Sequence, residues 1–135
     1  MIKIGQLHTF LQGLNFVAAE QIDSWVDDLQ IIPSGRNTGV PGRIIVCENH
    51  YTATFFIERY PHGRINESIL TASISCWLME NSGDSLDKFE FPIILDVLDA
   101  QVANVEFGIP FREFVYAQED EAGPLVFNSK TYSLI

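Results

Sequence analysis

The run from Tyr51 to Glu58 constrains this chain most: Tyr51, Ala53, Phe55 and Ile57 alternate with Thr52, Thr54, Phe56 and Glu58. Strict alternation in aromatic and β-branched residues puts one set on each face of a pleated strand. A chain carrying such a strand must build a sheet and cover one face of it. The strand is read across RIIVCENHYTATFFIERY, Arg43 to Tyr60, with Glu48-Asn49-His50 as either a bulge or a break. Pro61-His62-Gly63 ends it.

Helices supply the cover. Leu7, Phe10, Leu11 and Leu14 recur at i, i+3, i+4 and i+7, which predicts a helix from about Gly5 to Ala19. Asn66 is placed to cap a second helix, with Glu67 favourable in its first turn. Leu70, Ile74, Trp77 and Leu78 form its inner stripe, small Ala72, Ser73 and Ser75 keep it slim, and Gly83 follows its end. The formal N-x-S match at Asn66 is accordingly read as a cap.

The remaining segments are extended or turns. Ile22 to Ile32 reads as a strand, although Asp27-Asp28 could equally be a turn, and Pro33-Ser34-Gly35 closes it. Ser34 to Gly42, with its glycines and proline, reads as a surface loop. Phe89, Phe91, Ile93 and Leu95 alternate, and Pro92 demotes that strand to an edge or an irregular one. Val102 to Phe107 and Phe111 to Tyr116 follow, joined through Gly108-Ile109-Pro110 by a turn or as one bent strand. An acidic turn, Gln118 to Pro124, precedes a short strand, Leu125 to Phe127, and residues 128–135 read as a flexible tail. The expected class is α+β, a mostly antiparallel sheet of about five strands packed with two helices, in a single domain over residues 1–135.

Composition excludes several functions. Eight Lys and Arg against eighteen Asp and Glu give a formal charge of -10, and the cations stand scattered. Affinity for nucleic acid comes largely from clustered cations neutralising phosphates, so specific nucleic-acid binding is not expected, nor is an anionic membrane surface. MIKIGQLHTF lacks the pattern of a signal peptide and no apolar stretch approaches a bilayer's thickness, so a soluble protein made in a cytoplasm is expected. Cys47 and Cys76 then read as free, structural thiols.

Catalytic and metal-binding patterns are missing. His8, His50 and His62 have no neighbours at ligand spacing. Cys47 and His50, three apart on one strand, point to opposite faces and do not form a nucleophile and base. The carboxylates at Asp27-Asp28, Asp84-Asp87, Asp96-Asp99 and Glu119-Asp120-Glu121 sit at element ends, where solvated acids are the default. The expectation is a protein with no enzymatic activity, cofactor or metal.

One pattern does point to a family. Trp25 to Ile32, HYTATFFIERY, CWLMEN (Cys76 to Asn81) and above all FEFPIILDVLDAQVANVEFGIPFREFVYAQEDEAG (Phe89 to Gly123) resemble the phage tail completion protein R (GpR) family of contractile-tailed phages. The matching positions are Phe91, Leu95, Val105, Phe107, Ile109, Arg112, Glu113, Val115 and Gly123. The departures are the glycine-rich loop from Gly35 to Gly42 and Phe114 between Glu113 and Val115. The resemblance implies a structural protein of the virion tail, assembled in the bacterial host cytoplasm, that closes the head-proximal end of tail tube and sheath. It implies homo-oligomeric rings, typically hexamers, that later join the head-tail connector. Arg112, Glu113, Phe114 and Arg43 are then the candidate subunit or partner contacts. The acidic balance would suit a channel wall that DNA passes without sticking, provided the acids face inward. Apart from the resemblance, an acidic module of immunity or antitoxin type that inhibits a basic partner fits the charge as well.

Overall fold

The computed structural model describes residues 1–81 and 90–135. They fall into two compact units: Met1–Asp27 with Thr52–Phe111 (unit 1), and Asp28–Tyr51 with Arg112–Ile135 (unit 2). In chain order the elements are α1 Ile2–Gly13, a 3-10 turn Ala19–Gln21, β1 Ile22–Asn37, β2 Arg43–Tyr60, α2 Glu67–Asn81, β3 Ile93–Val97, β4 Ala103–Glu119, β5 Leu125–Phe127 and β6 Lys130–Leu134. The hydrogen-bonded order is β1-β2-β4-β6-β5, with β3 also pairing β4. The class is therefore the expected α+β, with two α-helices and six strands among the described residues.

Unit 1 holds the helices. α1 starts earlier than its periodicity suggests, and it stops earlier because Asn15 adopts a left-handed φ of 57° and its side chain donates to the Gly13 carbonyl at 3.1 Å. A residue in that conformation ends a helix, and Asn tolerates it better than most. Leu7 and Leu11 are buried, with Phe10 and Leu14 half-buried beside them. At the start of α2 the Asn66 carboxamide oxygen accepts the Ser68 N–H at 2.8 Å, the expected cap. Leu70, Ile74, Trp77 and Leu78 are its buried residues, as the stripe predicts. Gly83 and Phe89 lie outside the described residues.

Inward-facing residues of β2 and β4 meet these helices. Ala53, Phe55 and Ile57 alternate into the core of unit 1, as do Val105, Phe107, Ile109 and Phe111. Phe55 stacks on Phe107 with centroids 5.2 Å apart, and Trp77 sits 6.2 Å from Phe10 and 6.4 Å from Phe111. Full burial of one such ring stabilises by about 1.5–3 kcal/mol, so this cluster dominates the hydrophobic gain. β3 pairs β4 antiparallel from Ile93↔Phe107 to Val97↔Ala103 and is an edge, which is where Pro92 places it.

Three readings of the extended segments are changed or settled by the structure. First, β1 runs through Pro33-Ser34-Gly35 to Asn37, and the loop shrinks to Thr38–Gly42. β1 ends the strand order, so among the described residues one side of it carries no ladder, and a proline and a positive-φ glycine (Gly35, φ 78°) are tolerated there. Second, of the two readings left open for Gly108-Ile109-Pro110, a turn or one bent strand, the strand holds: β4 is continuous, and Pro110 falls in the interval between the residues that pair with β3 and with β6. Third, residues 128–135 are not a flexible tail. Asn128 and Ser129 both hold positive φ, 50° and 65°, the geometry of a tight hairpin turn, and Lys130–Leu134 pairs with both β5 and β4. Tyr132 anchors that strand in a small core with Ile44 and Ala117, flanked by Val46 and Leu125.

Candidate assembly surface

All four candidate contact residues lie in unit 2, but not together. Arg43 is half-buried at the start of β2, where its Nε donates to Gln118 Oε1 at 3.3 Å. Arg112, Glu113 and Phe114 lie six residues and fewer before Gln118 on β4, so roughly 20 Å separates Arg112 from the Arg43 contact.

The Arg112 end is a cross-strand polar group. Arg112 Nε lies 3.5 Å from Glu48 Oε1, and its guanidinium sits 5.8 Å from the centre of the Phe114 ring. The Glu48 carboxylate also faces His50, whose Nε2 is shut off from solvent without a hydrogen bond, 3.9 Å from Glu48 Oε2. Tyr51, buried on β2, donates its hydroxyl to Glu113. Strand pleating explains the sorting: Glu48 and His50 share one side of β2, whereas Cys47 turns the other way and donates to Asn49 Oδ1 at 3.7 Å. Glu48 and Tyr51 are the residues that sequence reading missed. Only the strand register reveals them, and a cross-strand partner has no fixed spacing in the chain.

Around this group unit 2 exposes several large apolar side chains. Phe114 and Tyr116 are exposed and touch each other at 6.3 Å, and Leu29, Ile31 and Ile32 are exposed along β1, the end of the strand order. An edge strand with unpaired backbone groups and apolar side chains is suited to pairing with another chain. A mainly apolar cavity of about 260 Å³ opens among Ile44, Val46, Leu125, Phe127 and Tyr132, with Gly35 at its rim. A Cβ on Gly35 would come within 2.8 Å of Phe127 Cζ, so the ring rests against bare backbone.

The acids organise turns. Asp120 accepts from Ser133 Oγ at 2.6 Å and from the Ala122 N–H at 3.0 Å, and these bonds hold its carboxyl below the usual range. Asp99 does the same in the β3–β4 hairpin, accepting from the Val102 and Gln101 N–H groups, and is likewise lowered. Asp84 and Asp87 lie outside the described residues. Among the described residues no group of three or more His, Cys, Asp and Glu is placed to hold a metal ion, and no helix is long and apolar enough to cross a membrane. What the geometry offers is contact surface: an apolar edge, paired aromatics and a partly shielded ion pair.

Comparison with known proteins gives that surface a context. The family model for P2 phage tail completion protein R (GpR) matches residues 1–134. A protein of Haemophilus phage HP1 (strain HP1c1), described as an uncharacterized 19.2 kDa protein in the rep-hol intergenic region, is 35% identical over 113 residues, covering 82% of this chain and 68% of that one. No solved structure matches the chain.

Proposed function

The chain belongs to the P2 phage tail completion protein R (GpR) family, and from that membership we propose that it terminates the tail of a contractile-tailed phage at its head-proximal end. In this reading a ring of copies, typically six, caps the tail tube and sheath once they have grown to length and then presents the face that the head-tail connector joins. The role is structural, with no turnover of substrate, and assembly takes place in the host cytoplasm. The observation that carries the reading is the extent of the family match, which runs over residues 1–134 and so takes in both units. The exposed apolar strand edge and the Phe114–Tyr116 pair support it, because a ring subunit must offer surface to its neighbours.

Electron microscopy of particles made without the protein tests the role. The expected result is tails of irregular length that remain unjoined to heads, restored by supplying the chain in trans. Tails of normal length carrying heads would overturn the reading.

A further inference from the structure

With a formal charge of -10, two copies of this chain repel unless cations are gathered somewhere on the surface. Most of the described cations are already engaged: Arg43 with Gln118, Arg112 with Glu48, Lys130 with Glu119 at 3.8 Å, and Lys3 over the Phe111 ring. Of the rest, Arg36 stands apart on β1, whereas Arg59, at the end of β2, and Arg64, in the turn before α2, lie together. Both are exposed, and both line one recess of about 390 Å³ in unit 1, together with Asn15, Phe16, Gln21 and Pro61.

The backbone of that recess is held in place. Asn15 and Arg59 adopt left-handed φ values of 57° and 54°. The Arg59 N–H donates to Asn104 Oδ1 at 3.0 Å, Gln21 Nε2 donates to the Glu58 carbonyl at 2.8 Å, and the Arg64 N–H donates to the Pro61 carbonyl at 3.0 Å. Asp99 feels the Arg59 charge, but its Oδ1 accepts from backbone N–H groups of its own turn. Two arginines, each with five donors, thus line one recess from a fixed backbone frame, which suits carboxylates.

Unit 2 carries the complementary shape. Asp120 is tied into the turn after β4 through Ser133, Ala122 and Thr131, and the Gly123 N–H closes it onto the Asp120 carbonyl at 2.9 Å. That internal bonding leaves Glu121 exposed on one side of a braced turn, and on the other side Glu119, also exposed, which Lys130 only partly neutralises across an exposed pair at 3.8 Å. A braced acidic turn and a framed cationic recess lose little conformational freedom on meeting.

Resting on the ring reading above, we propose that the Arg59–Arg64 recess of one copy receives the Glu119–Glu121 turn of the next. The two patches differ, so the contact is head-to-tail, the kind that closes into a ring when the rotation allows.

Charge exchange tests the contact in phage lacking the native protein. One chain carries Arg59→Glu with Arg64→Glu, a second carries Glu119→Arg with Glu121→Arg, and a third carries all four changes. Circular dichroism confirms that each folds. The expected result is association weakened by roughly tenfold to a hundredfold in each double variant, with loss of complementation, and recovery of both in the fourfold exchange. A chain with Cys47→Ala and Cys76→Ala, to which Arg64→Cys and Glu121→Cys are added, is expected to give a ladder of disulfide-linked multimers when particles are oxidised. Double variants that complete tails normally, with no ladder, would overturn the contact and leave the terminator reading standing. Particles with normal joined tails in the complete absence of the protein would instead remove the reading itself.

Discussion

Units 1 and 2 share the same three long strands yet are stabilised differently. In unit 1 the strands present Phe55, Ile57, Val105 and Phe107 to two helices, and the whole group is sealed from water. In unit 2 the described buried apolar residues are Ile44, Tyr51, Ala117 and Tyr132, and Leu29, Ile31, Ile32, Val126 and Leu134 stay exposed. A sheet covered by helices can hide its alternating face; one without that cover keeps apolar groups in water until another surface arrives. The contrast teaches a difference in cover: most of the described buried apolar side chains belong to unit 1, and unit 2 is held by a thinner core. Local opening should follow the same divide, with amides of unit 2 exchanging faster than those of the Phe55–Phe107 core.

The largest break in that contrast comes from Phe107→Ala, which removes the ring stacked on Phe55 and is expected to cost about 3–5 kcal/mol in urea unfolding. Leu125→Ala, at the half-buried margin of the unit 2 core, should cost clearly less; equal losses would mean that unit 2 is no thinner than unit 1. Next comes Gly123→Ala, whose Cβ would collide with the Tyr132 carbonyl, backbone that cannot step aside. About 1–3 kcal/mol is expected, with faster amide exchange confined to Leu125–Leu134. Asn66→Ala removes the α2 cap and should lower stability by about 1 kcal/mol, felt in unit 1 alone.

The smallest effect is on pH dependence. Because hydrogen bonds from Ser133 and Ala122 lower the folded carboxyl of Asp120, its contribution is complete above the unfolded value and drains away as pH falls through the folded one. Asp120→Asn should therefore lower stability most near neutrality, where that contribution is complete, and flatten the fall in stability as pH drops below the ordinary carboxylate range. A variant with the native slope would show that the turn is not held by its carboxylate.

Legibility in the sequence divided along the same line. The α2 stripe, its Asn66 cap and the alternation from Tyr51 to Ile57 were readable because burial imposes a period on residues that a helix or sheet covers. Where little is buried no period is imposed, so β6 passed for a tail: Tyr132 is its one buried residue, and Asn128-Ser129 lacks the glycine that usually marks a tight hairpin. The extension of β1 through Pro33 was hidden for a related reason, since a strand edge tolerates residues that a central strand rejects. Of the candidate contacts, Arg112, Glu113 and Phe114 were noticed through the family pattern, whereas Glu48 and Tyr51, which face them, follow from cross-strand register alone.

Trp77, wedged beside Phe10 and Phe111, has an optical consequence. Both tryptophans of the chain, Trp25 and Trp77, belong to unit 1, and unit 2 has only tyrosines for chromophores of any strength, at Tyr51, Tyr116 and Tyr132. Emission excited at the red edge of protein absorbance therefore watches one half of the molecule. A single clean fluorescence transition would describe the helix-covered half and be blind to loosening around the recessed apolar cavity beside Tyr132, which calls for amide exchange or a tryptophan placed at Phe127.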